Sequence, residues 1–528
     1  MKEISKLFAT AVILIFCSCE NNDDVMDYNN SQHSSGKLSE RHFVGDSLKL
    51  ENPYTVSNMK MSLMDIKRKN PDSPFVELEN LTIVASHLYV KFKPKSIQEE
   101  SLLKADSTLF LFNYRLDYEY KDDFLDNRKF KKDSIPDYYS AIQINKAIPA
   151  VPYEVLEELY IPEQDNFFND TEEQERYLIT YKINNKTDLY NHLIFDAFVR
   201  TGHEEEVLEE GSTLTNRWFF GKKWRPAGTI KIAESCERNL STKVQSLMPL
   251  EGAKILIRQW FTVDSGISNS NGYFSTGTIR GEARYIIQWE RYHYSIRSGN
   301  FGQAELRGPL MKRQDWNKNI QGGSDEYYGH IHRAALHYYY KNIKGLRRPP
   351  ENGSWKPQMK IGAFYENNIN INGDYRCAAR FLGIFPSVRI YNPTSPSCEI
   401  YATTIHELAH ASHFNMKKTD YKDSQKIVKE SWARGVEWEL TRMTYPLFTT
   451  WFARKKDGYS EPSSNYTGIV PDMIDGVSGY DQVSGYTIRQ IEDALQGERT
   501  WNNWRDNIKN SDNNATKNNV DALFTYWN

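Results

Sequence analysis

The chain has 528 residues, 39% of them hydrophobic and 26% charged, with a formal net charge of −3. A length of that order predicts about three domains, and the hydrophobic share suffices for packed cores. The near-neutral balance excludes a general attraction to nucleic acid, and beyond the N-terminus no apolar run approaches the roughly 20 residues that a membrane-spanning helix needs.

The first residues read as an export signal. Lys2 and Lys6 supply a positive end, and Leu7 to Phe16 supply an apolar core too short to span a membrane. The core ends in Phe16-Cys17-Ser18-Cys19, which resembles a bacterial lipoprotein box. The resemblance implies cleavage before Cys19 and lipidation of Cys19 as the first residue of the mature chain. Cys17 is the rival, less suited because Ser18 is a small residue of the kind that precedes the cut. Asn21-Asn22-Asp23-Asp24 resembles the surface-export signal of Bacteroidota lipoproteins, which implies an outer-membrane lipoprotein exposed at the cell surface. An uncleaved anchor or a periplasm-facing lipoprotein is the alternative. A lipid tethers a protein without a spanning helix, and residues 20–45, largely polar, read as a disordered tether.

Residues 46–200 are expected to form a small α+β domain. Leu88, Val90 and Phe92 alternate as in a strand, and Ser96 with Glu99 has the form of a capping box opening a helix to about Lys104. Leu109 to Phe112 is the next expected strand, and Pro152 is expected to open a short helix through Val155 and Leu159. Residues 201–224 read as a linker, its acidic run Glu204 to Glu210 lying in a solvated stretch or helix. Residues 225–305 read as β. Ile230 and Ile232, then Ile255 and Ile257, then Tyr285, Ile287 and Trp289 alternate, and Asn271-Gly272 marks a tight turn before Tyr273-Phe274. The run from Gly252-Ala253-Lys254 to Asn271-Gly272-Tyr273-Phe274 is similar to the carboxypeptidase-regulatory, transthyretin-like β-sandwich. Residues 310–528 complete the chain as a mainly helical region. Asp325 to Asn342 reads as an aromatic-rich helix whose His330, His332 and His337 are polar edges on a packed face rather than a second metal site. Helices are also expected over Thr487–Leu495 and Trp501–Ile508. The fold class is thus multidomain α+β.

The chemistry concentrates at His406-Glu407-Leu408-Ala409-His410, an HExxH sequence. On a helix, residues four apart lie on one face, so His406 and His410 can grip one Zn²⁺ while Glu407 takes a proton from a water that the metal activates. The five letters alone leave open a polar helix face with two solvated histidines. The surroundings favour the helix. Ser395-Pro396 reads as an N-cap followed by Pro at the first helical position, no Pro or Gly interrupts 397–415, and Ile400, Thr404, Leu408 and Ala411 would face the core. Upstream, Phe385 to Tyr391 alternates like a strand, with Pro386 suiting an edge.

A catalytic zinc needs a third protein ligand and an open position. The metzincin spacing fails, because the sixth residue after His410 is Met416. His413, three residues on, could serve only as a support. Glu430 lies 20 residues after His410, on a second predicted helix through IVKESWARGVEWELTRM, with a turn-like polar stretch 417–422 between the two. Two antiparallel helices would bring Glu430 back to the metal.

HExxH followed after about twenty residues by Glu430-Ser431-Trp432-Ala433 resembles the gluzincin branch of zinc peptidases, and the whole chain looks like large zinc-peptidase-like lipoproteins of Bacteroidota. The resemblance covers roughly residues 385–445. It implies a zincin-like catalytic domain over 310–528 with an edge strand before the motif helix. Its ligands would be His406, His410 and Glu430, its general base Glu407, and its cofactor one Zn²⁺ per chain. Thermolysin-like enzymes place an Asp four residues after the ligand Glu, where it orients a ligating His; this chain has Arg434 there. Glu437, one turn further, could supply that carboxylate or rival Glu430 as the third ligand. The implied activity is hydrolysis of peptide bonds in extracellular proteins or glycoproteins, with substrate aligned on the strand Val388–Tyr391 and an oxyanion donor such as Tyr466, Tyr480 or Tyr486. The alternative is a surface binding or adhesion lipoprotein whose peptidase-like domain holds zinc without cutting. Membrane contact would be through the lipid alone. Of the remaining cysteines, Cys377 and Cys398 flank the expected edge strand, so an oxidising compartment would allow a bridge between them, leaving Cys236 free and buried.

Overall fold

Four β-sheets and the helices packed on them give a mixed α+β structure among the described residues. The computed structural model describes residues 49–106, 108–118, 135–162, 183, 186–207, 223–236, 246–353, 358–365, 371–377, 379, 385–446, 465–477, 479, 481–511 and 513–528. The expected signal, Cys19 and the tether lie outside them. No helix among the described residues is long and apolar enough to cross a membrane.

The N-terminal part is α+β. Helix α1 (Val56–Lys69) opens at Thr55, whose side chain accepts from the Asn58 amide, and the short α2 (Val76–Asn80) follows. Strand β1 (His87–Phe92) is the centre of an antiparallel sheet between β2 (Tyr138–Gln143) and β3 (Tyr153–Leu159). Helix α3 (Ile97–Ala105) is capped by Ser96, which accepts from the Glu99 amide. The Glu99 carboxylate takes the Lys95 amide at 2.6 Å, so only half of the expected capping box forms. Two expectations fail. Leu109–Phe112 is not a strand of the sheet and touches β2 only at the Phe112–Tyr139 bridge. Tyr153–Leu159 is not a helix but β3. Val155 and Leu159 have helical spacing, yet the segment pairs along β1, an instance of tertiary pairing overriding local pattern. Helices α4 (Lys186–Arg200) and α5 (Glu204–Val207) follow. The described part of the acidic run is thus helical, and Glu206 accepts from the Trp260 indole N–H at 2.8 Å rather than facing solvent alone.

The β-rich middle divides among three sheets. Strands β4 (Ala227–Glu234), β5 (Ser246–Pro249) and β8 (Tyr273–Ser275) form one with β13 (Lys318–Ile320); β6 (Lys254–Gln259), β7 (Thr262–Ile267), β9 (Ala283–Gln288) and β12 (Glu305–Met311) form the second. The Asn271-Gly272 turn is present, with Gly272 at φ 74°, but it delivers β8 onto β4 rather than back onto β7. A Cβ on Gly272 would lie 2.3 Å from the Ile230 carbonyl, so the close approach needs glycine as well as the φ does. The third sheet has the order β11-β10-β14-β16-β15. Strands β10 (Tyr294–Ser298) and β11 (Gly302–Gln303) belong to it beside β14 (Met359–Ala363) and β16 (Val388–Ile390), so the expected break at residue 305 has no counterpart in the strand pairing. Strand β15 (Gly373–Tyr375) is its antiparallel edge.

Helix α6 (Gly323–Tyr340) and the motif helix α7 (Ser397–Met416) pack on this sheet and on each other. His330 and His332 are buried among hydrogen-bond partners such as Arg333 and Tyr294, in keeping with a packing role. The stretch 417–422 is mostly a short helix, α8 (Lys418–Asp423), after which α9 (Lys426–Thr444) packs against α7. Helices α10 (Ile469–Ile474), α11 (Ile488–Leu495), α12 (Trp501–Ser511) and α13 (Val520–Trp527) complete the C-terminal core.

The start of α7 is fastened in place. Cys398 forms a disulfide with Cys236, just beyond β4, and Cys377 is free. The expected Cys377–Cys398 bridge is therefore corrected. The β15–β16 hairpin carries Cys377 to the vicinity of Tyr421, whereas the end of β4 meets the N-terminus of α7. Beside the disulfide the buried Glu234 carboxylate accepts from Arg333 Nη1 and Tyr445 Oη, each at 2.9 Å, and from Ser397 Oγ. Burial opposes its charge, but the Arg333 guanidinium and the Ser397 hydroxyl hold its pKa below the usual value. This one carboxylate joins β4, α6, α7 and the end of α9. Glu234→Gln should cost about 3–5 kcal/mol of stability, read as a lower urea midpoint at neutral pH. Because the folded pKa is depressed, the contribution is full above the ordinary Glu value of about 4.3 and fades as the pH falls through the folded value. The gap between wild type and variant should therefore close in acid; equal midpoints at pH 7 would contradict this role.

Candidate metal centre

Helix α7 runs unbroken past the motif, so His406 and His410 sit one turn apart on one face, ring centres 4.8 Å apart. Helix α9 lies alongside and presents Glu430. Its Oε2 is 3.3 Å from His406 Nε2 and 3.2 Å from His410 Nε2. The three ligand atoms lie within 4.8 Å of one another. Two imidazole nitrogens and a carboxylate oxygen aimed at one point, in a largely buried pocket, form a donor set that fits a first-row divalent metal. A second cluster, Asp472, Asp475 and Asp481, has oxygen donors only.

Glu437 does not compete for the metal position. Its Oε2 lies 3.0 Å from His406 Nδ1, on the far side of the ring from Glu430. It occupies the place from which a carboxylate fixes the tautomer and orientation of a ligating His. Arg434 Nη1 donates to both Glu437 oxygens, at 3.2 and 3.1 Å. His413 does not join the cluster by any hydrogen bond among the described residues. It is buried and meets Tyr421 edge-on at 5.0 Å. The Tyr421 ring also stands edge-on to His410 at 6.4 Å.

The strand over the site is β15, not β16. The apolar alternation at Val388–Ile390 belongs to an interior strand, held by β14 on one side and β15 on the other. Gly373-Asp374-Tyr375 is too short and too polar to announce itself as a strand, and this is why sequence reasoning missed it. Gly373 lies directly against the motif: a Cβ there would be 2.8 Å from Glu407 Cγ and Oε1. Tyr375 stacks on the His410 ring at 6.5 Å with an interplanar angle of 16°.

Of the three tyrosines singled out downstream, Tyr466 reaches the site. Its ring lies 6.1 Å from that of His406, and burial, together with the nearby Glu430 and Glu407 carboxylates, drives its pKa up. Its segment is pinned to α9, with Thr467 Oγ1 donating to Ser431 Oγ at 2.8 Å. Tyr486 is buried in the C-terminal core, and Tyr480 lies outside the described residues.

The electrostatics are those of four carboxylates around two imidazoles. Burial pushes the Glu407 pKa up to about 8, helped by Glu430, Asp374 and Glu437 and opposed by His406. Burial favours neutral His406, but Glu430 and Glu437 overcome it and raise its pKa to about 10. Burial likewise opposes the Glu430 charge, yet the two imidazoles hold its pKa far below the usual range. Without a metal, a proton on His406 supplies the positive charge that the carboxylates call for.

No family model, no curated protein and no solved structure matches the chain.

A metal entering the site must displace the His406 proton. The affinity of the metal-free protein for zinc should therefore rise with pH from about 6.5 towards 10, with protons released on binding, as titration calorimetry in buffers of different ionisation enthalpy can measure. An affinity independent of pH across that range would mean that His406 carries no proton in the metal-free site.

Proposed function

We propose that the chain is a zinc metallopeptidase holding one zinc per molecule, and that residues 310–528 form a zincin-like catalytic domain. The observation that carries this reading is the convergence of His406, His410 and Glu430 with a buried carboxyl, Glu407, one residue after the first ligand. Zinc held by these three groups supplies a Lewis acid that acidifies water and polarises a carbonyl.

The protein's own groups do the rest. Glu407 takes the proton from the attacking water and delivers it to the amine nitrogen as the C–N bond breaks. Tyr466 donates its hydroxyl to the oxygen on which charge develops. The side of β15 that pairs with no strand among the described residues would offer backbone groups to an extended peptide, and Gly373 keeps that strand close to Glu407. Glu437 and Arg434 orient His406. With the lipoprotein-like N-terminus, the substrates proposed are extracellular proteins or glycoproteins met by an outer-membrane lipoprotein anchored through Cys19. A binding protein that holds zinc but does not cut would have no need of Glu407 beside the metal, and this favours the enzyme.

Glu407→Gln should keep one zinc per chain by elemental analysis while peptide hydrolysis falls about 10²–10⁴-fold; Glu430→Ala should lose the metal. Wild-type protein with full zinc that cleaves nothing in a proteome-derived peptide library would sink the peptidase reading.

The close approach of β15 generates a separate expectation. Gly373→Ala should retain zinc but displace Glu407, lowering kcat about 100-fold. Unchanged kcat would mean that the strand can retreat without cost to the base.

A further inference from the structure

We infer that Arg434 is a positioning residue that locks the His406 and Tyr466 sides of the centre to one another. The inference rests on the proposed metal site, not on hydrolysis itself.

Glu430, Arg434 and Glu437 are spaced i, i+4 and i+7 along α9 and so share one face. The guanidinium reaches two neighbours from there. Towards the motif helix, Nη1 bridges both oxygens of Glu437, whose Oε2 is at the same time the partner of His406 Nδ1. Towards the other side, the guanidinium carbon lies 5.8 Å from the centre of the Tyr466 ring. That ring lies 6.1 Å from the His406 ring. One cation thus touches both the carboxylate that supports His406 and the aromatic ring beside it.

Two further features make the arrangement tight. Glu437 is buried, and removal of its cation would leave its carboxylate with the His406 imidazole as its one partner among the described residues. The Tyr466 segment is anchored to the same helix through Thr467, Ser431 and Asn465, so guanidinium and ring have a fixed spacing. Lysine could keep the charge but lacks the flat, multidentate head that engages a carboxylate and an aromatic face together.

The test uses the full-length mature protein, with zinc affinity read by chelator competition and site geometry by the visible spectrum of the Co²⁺ form. Arg434→Gln should weaken zinc affinity about 10–100-fold, the range typical of lost outer support to a ligating His, and should alter the Co²⁺ spectrum. Arg434→Lys should recover only part of the affinity. Tyr466→Leu on top of Arg434→Gln should change affinity less than Tyr466→Leu alone, because both remove the one guanidinium–ring contact. A folded Arg434→Gln protein with wild-type affinity and spectrum overturns the inference; if that variant does not fold, wild-type affinity and spectrum in Arg434→Lys overturn it equally. Wild-type protein that cleaves nothing while its zinc affinity depends on Arg434 removes the peptidase reading and leaves this one standing. Hydrolysis and affinity both unaffected by Arg434→Gln do the reverse.

Discussion

The structure depends on a single oxygen. Glu430 Oε2 is the point on which two imidazole nitrogens converge at 3.2 and 3.3 Å, and it joins two helices that follow one another closely in the chain. An imidazole pair on one helix follows from spacing alone. The third group does not: it requires α9 to turn back after α8 and lie against α7 with its register set within a fraction of a turn. Buried carboxylates are costly unless paired. Arg434 pairs with Glu437, and the two imidazoles stand against Glu430, where a proton on His406 or a metal ion adds positive charge.

The N-terminal end of the motif helix explains how that register survives. Glu234 gathers Arg333, Tyr445 and Ser397, and the Cys236–Cys398 disulfide adds a covalent tie at the same place. Tyr445 follows the last residue of α9. The start of the HExxH helix and the end of the Glu430 helix are thereby referred to one buried carboxylate. Further off, Glu100 on α3 pairs with Arg297 on β10 and Lys360 on β14, inside the structure. The N-terminal α+β layer is thus joined by charge to the sheet that carries the site.

What was legible in the sequence were the features with a local cause. The motif helix, its long uninterrupted run and the returning Glu430 helix follow from spacing and from the absence of Pro and Gly. The capping of α3 by Ser96 and of α11 by Thr487 follows from side chains acting on their own first turn. What was hidden had a long-range cause. Val155 and Leu159 look helical until β1 is there to pair with them. The alternation at 388–390 is real, but whether a strand lies at an edge is decided by which segment comes next to it, and Gly373-Asp374-Tyr375 carries no period of its own. Cys236 and Cys398 are 162 residues apart, and no local rule prefers that pairing to one across 21 residues.

The arrangement at residues 434 and 437 has a geometric logic. A carboxylate one turn after the ligand Glu is one way to reach an imidazole on the neighbouring helix. Here the carboxylate stands a further turn along, at Glu437, and still meets His406 Nδ1 at 3.0 Å. Two consequences follow. Glutamate, longer than aspartate by one methylene, spans the added distance but needs a second contact to stop it swinging. The position left open one turn earlier lies between that carboxylate and the Tyr466 ring, where a long cationic side chain touches both. Glutamate at 437 and arginine at 434 thus act as a pair: the guanidinium neutralises the carboxylate that orients His406.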